Sequence, residues 1–260
     1  MKPKILIVRT DRMGDVLLST PAIRAVRRAV PNAHIAVMVR PYTADIVRDN
    51  PDIDEVIVYD KEAREKGIWG NFRFAVRLFL KRFDTALILH SSNRSVLIPF
   101  LAGIRLRAGY ARRLGFLLSH PLPPLKNKGD RHEIVYSLDV LEKAGFPVGD
   151  TPLRPVFNVN ARDRETAKRL LEKKGVRPDD TIVCIHAGAS CPSRWWPLSR
   201  FRDVARHFIR EKRCVAVVIG GNAEVERMEE LACGLGPKLL NFTGMLTIGE
   251  TAAVIERSAV

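Results

Sequence analysis

Short apolar runs, each followed by a stretch long enough for a helix, recur along this chain. In the first half these runs do not alternate with polar residues, and they predict strands at residues 5–8, 34–39, 55–59, 85–89 and 105–109. Helices are predicted at residues 14–30, 42–49, 69–82, 94–101 and 132–144. Continuously apolar strands that alternate with helices are typical of a parallel sheet buried on both faces. The first half is therefore predicted to be an α/β domain.

The same alternation resumes in the second half, after a stretch rich in proline and glycine at residues 146–159. Strands are predicted at residues 181–186, 214–220 and 239–242, and helices at residues 162–174, 197–210, 223–232 and 248–257. Proline and glycine favour loops and linkers. We therefore predict two domains, residues 1–150 and residues 151–260.

The composition is that of an ordinary globular protein, with 46% hydrophobic and 28% charged residues. No run approaches the roughly 18 uninterrupted apolar residues of a membrane-spanning helix, and the start of the chain has no secretory pattern. The four cysteines lack the paired spacing of metal ligands, so we expect free thiols, with Cys184 and Cys214 in the core. A cytoplasmic location is expected.

The formal net charge of +14 favours an anionic partner. Charge alone does not choose among nucleic acid, an acidic membrane surface and a phosphorylated substrate. Basic residues are densest in one stretch that prolines interrupt, at Arg94, Arg105, Arg107, Arg112, Arg113, Lys126, Lys128 and Arg131. Such a stretch is either a solvated face or an anion-binding surface, and both interpretations stay open.

A polar loop follows the first apolar run and opens a helix, with Arg12, Gly14 and Asp15 in it. Open α/β sheets bind ligands at the carboxyl ends of their strands. The backbone N–H groups at a helix start favour a carboxylate, and Asp15 at a cleft can accept a proton from a substrate hydroxyl as a general base. The alternative is structural, because Asp15 or Asp11 can instead cap the helix.

A second loop of this kind follows the strand predicted at residues 181–186, and it contains Gly188, Ser190 and Arg194. Glycine permits close backbone approach, and backbone donors together with a guanidinium can hold phosphate oxygens. The loop therefore predicts an anion site, and two such loops suggest two domains that face each other across a cleft. The alternative is that Trp195 and Trp196 only anchor a surface loop and leave Arg194 exposed.

Asp52 and Asp54 form an Asp-x-Asp sequence, which can hold a divalent cation in other contexts. Here Asn50 and Pro51 make the segment a turn that leads into a strand, so we expect a structural role and no metal. The histidines form no ligand pattern. No glycine-rich dinucleotide or triphosphate loop follows the first strand, which disfavours those enzyme classes.

Two groups of residues are similar to a known family. One group covers residues 5–9, 11–16, 20–24, 50–51 and 53–56. The other comprises Gly188, Ala189, Ser190, Arg194, Trp196, Pro197, Phe201, Gly220, Gly221, Glu224 and Gly244. In order and approximate spacing they resemble the ADP-heptose:lipopolysaccharide heptosyltransferases, glycosyltransferase family nine. The resemblance covers nearly the whole chain.

This resemblance implies a GT-B architecture of two Rossmann-like domains, and an inverting transfer of heptose from ADP-heptose to a lipopolysaccharide core or related glycan. Asp15 matches the family's base, with Arg12 and Gly14 on the acceptor side. The positions that match donor-binding residues are Gly188, Ala189, Ser190, Arg194 and Glu224. Arg194 stands where lysine is common, so the charge is kept but binds as a planar fork. No metal or cofactor is implied besides the donor substrate.

The sequence also departs from the family. Family members continue into a further strand and a loop with an Asp, Ser or Thr, Gly and His pattern that grips the donor diphosphate, whereas this sequence ends at Val260. Residues 258–260 resemble the approach to a buried strand. We therefore expect the second domain to be truncated.

A lipid-linked acceptor would place the protein in the cytoplasm, in peripheral contact with the inner face of an anionic inner membrane. The competing hypothesis is a nonenzymatic basic module that binds nucleic acid. The net charge favours it, but no helix-turn-helix, aromatic RNA-binding or zinc motif supports it. A phosphorylated-sugar epimerase of similar topology is a third hypothesis, which the two-domain break and the Trp-Pro loop disfavour.

Overall fold

The computed structural model describes residues 2–124, 129–189 and 191–260. The chain divides into two compact units, Met1–Asn158 and Val159–Val260. Most of the proline-rich stretch at residues 146–159 thus belongs to the first unit, and the division falls after the predicted boundary at residue 150. Each unit is an α/β fold built on a parallel sheet.

The described part of the first unit forms a sheet of six strands in the order β3-β2-β1-β4-β5-β6, with every neighbouring pair parallel. Its strands are β1 (Lys4–Val8), β2 (His34–Val39), β3 (Glu55–Val58), β4 (Thr85–Ile88), β5 (Leu106–Tyr110) and β6 (His120–Leu122). Its helices are α1 (Met13–Leu17), α2 (Thr20–Ala29), α3 (Asp45–Arg48), α4 (Gly67–Lys81), α5 (Asn93–Leu101) and α6 (Glu133–Lys143).

The helix predicted at residues 14–30 is broken into α1 and α2. Pro21 lacks the N–H that would bond to the carbonyl oxygen of Leu17 in a continuous helix. The Thr20 hydroxyl donates to that oxygen instead, at 2.8 Å. The Ser19 hydroxyl donates to the Asp15 carbonyl oxygen, also at 2.8 Å. The break leaves α1 as a single short turn that carries Asp15.

The described part of the second unit forms a sheet of three parallel strands in the order β7-β8-β9. These strands are β7 (Ile182–Ile185), β8 (Val215–Val218) and β9 (Leu239–Asn241), and the helices are α7 (Ala161–Lys173), α8 (Leu198–Arg210), α9 (Val225–Ala232) and α10 (Ile248–Arg257). The Ala259 N–H donates to Ile182, and the Cys184 N–H donates to Val260. Residues 259–260 therefore lie along β7, but both are exposed and are not the buried residues that the sequence predicts.

Both faces of the strands at the centre of each sheet are buried, which explains their unbroken apolar runs. In β8, Val217 belongs to the cluster on one face of the sheet and Val218 to the cluster on the other. The four cysteines are free thiols, as expected. Burial raises the pKa of the Cys184 thiol to about 11. Among the described helices, none is both long and apolar enough to cross a membrane.

Candidate active site

The carboxyl edge of the first sheet carries a cluster of charged side chains. Arg9 directly follows β1, and Leu89 directly follows β4. Glu133 is the first residue of α6. Because β1 and β4 are parallel neighbours at the centre of the sheet, their ends meet at the edge where sheets of this kind bind ligands.

Arg9 is the centre of this cluster, and its side chain is only 1% exposed. Its Nη1 donates a hydrogen bond to the Leu89 carbonyl oxygen at 3.0 Å. Three carboxylates surround the guanidinium: Asp11 Oδ1 lies 2.8 Å from Nε, Glu133 Oε1 lies 2.8 Å from Nη2, and Asp15 Oδ1 lies 3.4 Å from Nη2. A buried cation requires paired anions, and here one cation serves three carboxylates.

Asp15 is the carboxylate of this cluster that a substrate reaches most easily. Its side chain is 34% exposed, against 17% for Asp11 and 21% for Glu133. The N-cap position of α1 is occupied by Arg12, and its side chain makes no hydrogen bond to the backbone of the helix. Asp15 is the third residue of that helix and pairs with Arg9. Neither Asp15 nor Asp11 is therefore the N-cap of α1, and the interpretation of either residue as the helix cap is wrong.

Arg12 and Gly14, predicted to lie on the acceptor side, are exposed beside Asp15. Apart from its chain neighbours and the backbone of its own helix, a methyl group added at Gly14 would find no atom of the described residues within 4 Å. Packing therefore does not require glycine at this position. The space next to Gly14 is open to a ligand.

Two contacts hold the loop between β1 and α1. Thr10 Oγ1 lies 3.4 Å from His90 Nδ1, two residues beyond the end of β4. The Tyr42 hydroxyl donates to the carbonyl oxygen of Asp11 at 2.8 Å. The backbone that leads to Asp15 is thus tied to two neighbouring strand ends.

Sequence reasoning did not single out Arg9 or Glu133. One local signal was available, because Arg9 directly continues an apolar strand. Charged residues are almost never fully buried unless they are paired, so a buried arginine there would have predicted an acidic partner. Glu133 lies 124 positions from Arg9 in the sequence. No local pattern connects two residues so far apart.

The loop after β7 carries the residues predicted to bind the donor. Gly188 and Ala189 lie in it, and Ser190 lies outside the described residues. Arg194 ends a short 3₁₀ helix at Pro192–Arg194 and is exposed. The described residues provide no hydrogen-bond or ion-pair partner for its guanidinium. Its charge is therefore accessible to an anion.

Trp195 and Trp196 anchor this loop. Trp195 Nε1 donates to the Ala189 carbonyl oxygen at 3.0 Å, and the Arg227 guanidinium carbon lies 4.2 Å from the centre of the Trp195 ring. The Trp196 ring packs edge-on against a phenylalanine of α8. The anchoring considered as an alternative is thus present, with Arg194 exposed. It is compatible with an anion site, because anchoring fixes the loop backbone.

Glu224 lies against the same loop. Its Oε2 accepts a hydrogen bond from the Gly221 N–H at 2.8 Å and lies 3.4 Å from His186 Nε2. A methyl group added at Gly188 would lie 1.3 Å from Glu224 Oε1. The close approach that the sequence predicts at Gly188 is therefore made by this carboxylate. The predicted contact of Glu224 with the donor stays a prediction.

Asp52 and Asp54 lie at the opposite, amino edge of the first sheet, just before β3. Asp52 Oδ2 lies 3.3 Å from Arg24 Nε, and Asp54 Oδ2 accepts hydrogen bonds from Arg27 and from the Ile35 N–H. Burial opposes ionisation of Asp54, but these two hydrogen bonds outweigh it and lower its pKa. Such contacts are those of a structural turn.

The basic stretch contains both paired and exposed cations. Arg131 donates to both carboxylate oxygens of Asp139, at 2.7 and 3.0 Å. Arg107 Nε donates to the Leu117 carbonyl oxygen at 2.8 Å. Lys126 and Lys128 lie outside the described residues. Arg131 is exposed although it is paired, and the other exposed members among the described residues are Arg94, Arg105, Arg112 and Arg113.

Residues 71–260 match the sequence profile of glycosyltransferase family 9 (heptosyltransferase). The match covers well over half of the chain and includes the loop with Arg194. The chain is also 25% identical over 262 residues to lipooligosaccharide heptosyltransferase 2 of Haemophilus influenzae, which aligns 96% of this chain and 74% of that protein.

Two solved structures have the same fold. The glycosyl transferase family 9 protein from Veillonella parvula matches with a TM-score of 0.90 and 26% identity, over 99% of this chain and 75% of that chain. The ADP-heptose LPS heptosyltransferase II of E. coli matches with a TM-score of 0.78 and 21% identity, over 99% of this chain and 77% of that chain.

The chain thus spans about three quarters of each of these relatives. The structural likeness confirms the expected GT-B-like α/β fold class, and the family match favours an enzyme over a nucleic-acid-binding module. The chain belongs to glycosyltransferase family 9, the family of the heptosyltransferases.

Proposed function

We propose that this protein transfers heptose from ADP-heptose to a hydroxyl of a lipopolysaccharide core or related lipid-linked glycan, with inversion at the anomeric carbon. The family and the names of its relatives support the reaction class and both substrate classes. The observation that carries the proposal is the position of Asp15. It is an accessible carboxylate, paired with a buried cation at the ligand-binding edge of the first sheet.

The proposed reaction is a single displacement. The acceptor hydroxyl oxygen attacks the anomeric carbon of the donor while the bond from that carbon to the diphosphate oxygen breaks. Asp15 takes the hydroxyl proton as the new bond forms, and ADP leaves with the electron pair. Displacement from the opposite face inverts the configuration. General-base catalysis by a positioned side chain typically contributes about 10²–10⁴-fold to a rate.

Arg9 is assigned the role of a positioning residue that acts through Asp15. Its guanidinium is held by the Leu89 carbonyl oxygen and by Asp11, so its Nη2 is fixed in space. Asp15 Oδ1 faces this nitrogen. We therefore assign the other carboxylate oxygen, Oδ2, to the acceptor hydroxyl.

On the donor side, we assign the diphosphate to Arg194 and to the backbone of Gly188 and Ala189. A guanidinium can bind two phosphate oxygens at once, and the exposed Arg194 has its donors available. Ser190 is assigned a hydroxyl contact with the donor, and Glu224 a contact with its ribose. Positive charge and backbone donors would neutralise the leaving ADP without a metal ion.

The proposed acceptor also indicates where in the cell the protein acts. A lipid-linked glycan is held at a membrane, so we propose a cytoplasmic enzyme that works at the inner face of an anionic inner membrane. The net charge of +14 supports this, because it attracts the protein to anionic headgroups.

The proposed function is tested by incubating the full chain with ADP-heptose and a heptose-deficient lipopolysaccharide core. We expect release of ADP, a product whose new linkage is inverted in its NMR spectrum, and equal rates with and without EDTA. Arg194→Met should raise KM for the donor more than it lowers kcat, whereas the exposed Arg200→Met on α8 should leave both unchanged. Retention of configuration, or the absence of any transfer from ADP-heptose, would contradict the proposal.

A further inference from the structure

Helix α4 has a large apolar surface on its outer side. It buries Gly70, Phe74, Ala75 and Leu78 against the rest of the first unit. Its other large apolar side chains are between 42% and 87% exposed, and they are Ile68, Trp69, Phe72, Val76, Phe79 and Leu80. With 3.6 residues per turn, these six positions fall within one arc of about 120°. They form one continuous stripe, here called the α4 face.

Neighbouring segments extend the α4 face. Phe79 lies beside the turn that follows α5, since a methyl group added at Gly103 would be 3.4 Å from its ring. The last turn of α5 adds Phe100 and Leu101, both exposed. The turn Gly115–Leu117 contacts α5 and carries Phe116, which is 78% exposed. Extended exposed apolar patches mark interaction sites on soluble proteins.

The surroundings of the α4 face are strongly basic. Residues 66–124 contain ten lysines and arginines and one acidic residue, and two of the ten pair with glutamates that precede this range. Lys66 precedes α4, Arg73 lies beside the stripe, and Arg82 follows the helix; all three are exposed. A partner for this surface must therefore offer an apolar layer together with negative charge.

An anionic phospholipid bilayer has both properties. Amphipathic helices with aromatic residues on one side and Lys or Arg beside them lie in the interfacial region of such bilayers. The 15 residues of α4 are too few to span a bilayer, which needs about 20. A second copy of this chain is a poorer partner, because two equally basic surfaces would repel each other.

We propose that the α4 face is the surface by which this protein lies on an anionic phospholipid bilayer, with Trp69 and Phe72 inserted between the lipids. This inference rests on the proposed function, which supplies a membrane-held acceptor as the reason for binding. Helix α4 follows β3, so its first turn lies toward the carboxyl edge of the sheet, where Asp15 lies. Docking through this end holds the acceptor side of the site near the membrane.

The test measures sedimentation of the full chain with vesicles, without donor or acceptor. We expect binding to vesicles that contain phosphatidylglycerol, much weaker binding to pure phosphatidylcholine, and weakening by salt. The double variant Trp69→Ala/Phe72→Ala should weaken binding at least tenfold, or about 1.4 kcal/mol. Lys66→Gln/Arg73→Gln should weaken binding to the anionic vesicles alone.

The matched control is Met245→Ala/Ile255→Ala, which removes two exposed apolar side chains of the second unit and should leave vesicle binding unchanged. All the substituted side chains are exposed, and thermal unfolding checks that each variant is folded. Equal binding by the wild type and Trp69→Ala/Phe72→Ala would overturn the inference. A dimer that dissociates in this variant, without vesicle binding by the wild type, would overturn it in favour of a second copy.

The two proposals fail separately. Vesicle binding needs neither sugar substrate, and transfer to a detergent-solubilised acceptor needs no bilayer. Loss of transfer with intact vesicle binding would therefore contradict only the proposed function. Transfer without vesicle binding would contradict only the assignment of the α4 face.

Discussion

Arg9 Nη2 lies 3.4 Å from Asp15 Oδ1, and the arginine in this pair is buried while the aspartate is accessible. The same nitrogen lies 2.8 Å from Glu133 Oε1. A buried cation at the end of a central strand thus holds the carboxylate that faces solvent. The charge of Arg9 is needed twice, to keep three acidic side chains together and to fix the direction of one of them.

Replacing Arg9 by methionine should destabilise the fold strongly. Removing one partner of a buried ion pair typically costs about 3–5 kcal/mol, because the opposite charges are left uncompensated. We expect Arg9→Met to lower the free energy of unfolding by an amount of that order in urea denaturation. Arg169→Met, which removes an exposed i,i+4 pair with Glu165, should change it by less than about 0.5 kcal/mol. Equal stabilities of the two variants would show that the Arg9 cluster is not structural.

Gly14→Ala separates folding from function. Alanine is favoured over glycine within a helix by roughly 0.5–1 kcal/mol, and the added methyl group meets no described atom within 4 Å outside its chain neighbours and its own helix backbone. The free energy of unfolding should therefore stay the same or rise. The KM for the acceptor should rise, because the methyl group fills the space next to Asp15. A variant that is stable and has unchanged kinetics would contradict the placement of the acceptor here.

Gly188 and Glu224 should be energetically coupled. A methyl group at Gly188 collides with Glu224 Oε1. To move away, the carboxylate must give up its hydrogen bond from the Gly221 N–H, which costs about 0.5–1.5 kcal/mol. Gly188→Ala should lose that much stability, and Glu224→Ala in the same chain should restore part of it. Gly221→Ala is the matched control, since its methyl group would lie 3.9 Å from Glu224. Strict additivity of the two changes in chemical denaturation would contradict the contact.

Because of Glu55, the free energy of unfolding should fall as the pH is lowered into the acidic range. Burial opposes its ionisation, but hydrogen bonds from Lys81 and His34 outweigh it and lower its pKa below the usual 4.5. The unfolded chain therefore binds this proton at higher pH than the folded chain does. The stabilisation is complete above the pKa that Glu55 has in the unfolded chain. It is lost as the pH falls through the lower pKa that Glu55 has in the folded chain.

The measurement for Glu55 compares the wild type with Glu55→Gln. At pH 7 the variant should be less stable by at most about 1 kcal/mol, because the pair is partly exposed. The difference should shrink between roughly pH 5 and pH 3. Glu165→Gln, on the exposed face of α7, serves as the control. A difference for Glu55→Gln that grows toward pH 3 would contradict the sign of the shift.

Local patterns predicted most of the fold. Helix α10 begins and ends at the predicted residues, because a capping box at Thr247 and Glu250 marks its start. Strand β6 was not predicted, because Pro121 lies at its centre. A proline is tolerated there because β6 is an edge strand, and only the tertiary structure reveals which strand is at the edge.

The candidate site was predicted in part. Asp15 could be singled out because it opens a helix after a buried strand, and both properties are local. The pairing of Arg9 with Glu133 could not be predicted from local patterns, because it depends on where α6 packs against the sheet. The sequence predicts that Gly188 allows a ligand to approach the backbone closely. In the structure the group that lies against Gly188 is the Glu224 carboxylate.

The central claim is that Asp15 is the general base, and the most direct measurement is the turnover of Asp15→Asn alongside its affinity for the donor. The amide has nearly the same shape but cannot take the proton. We expect kcat to fall by about 10²-fold or more, with a donor Kd from calorimetry close to that of the wild type. The exposed Asp203→Asn on α8 should behave as the wild type. Wild-type turnover by Asp15→Asn would contradict the account.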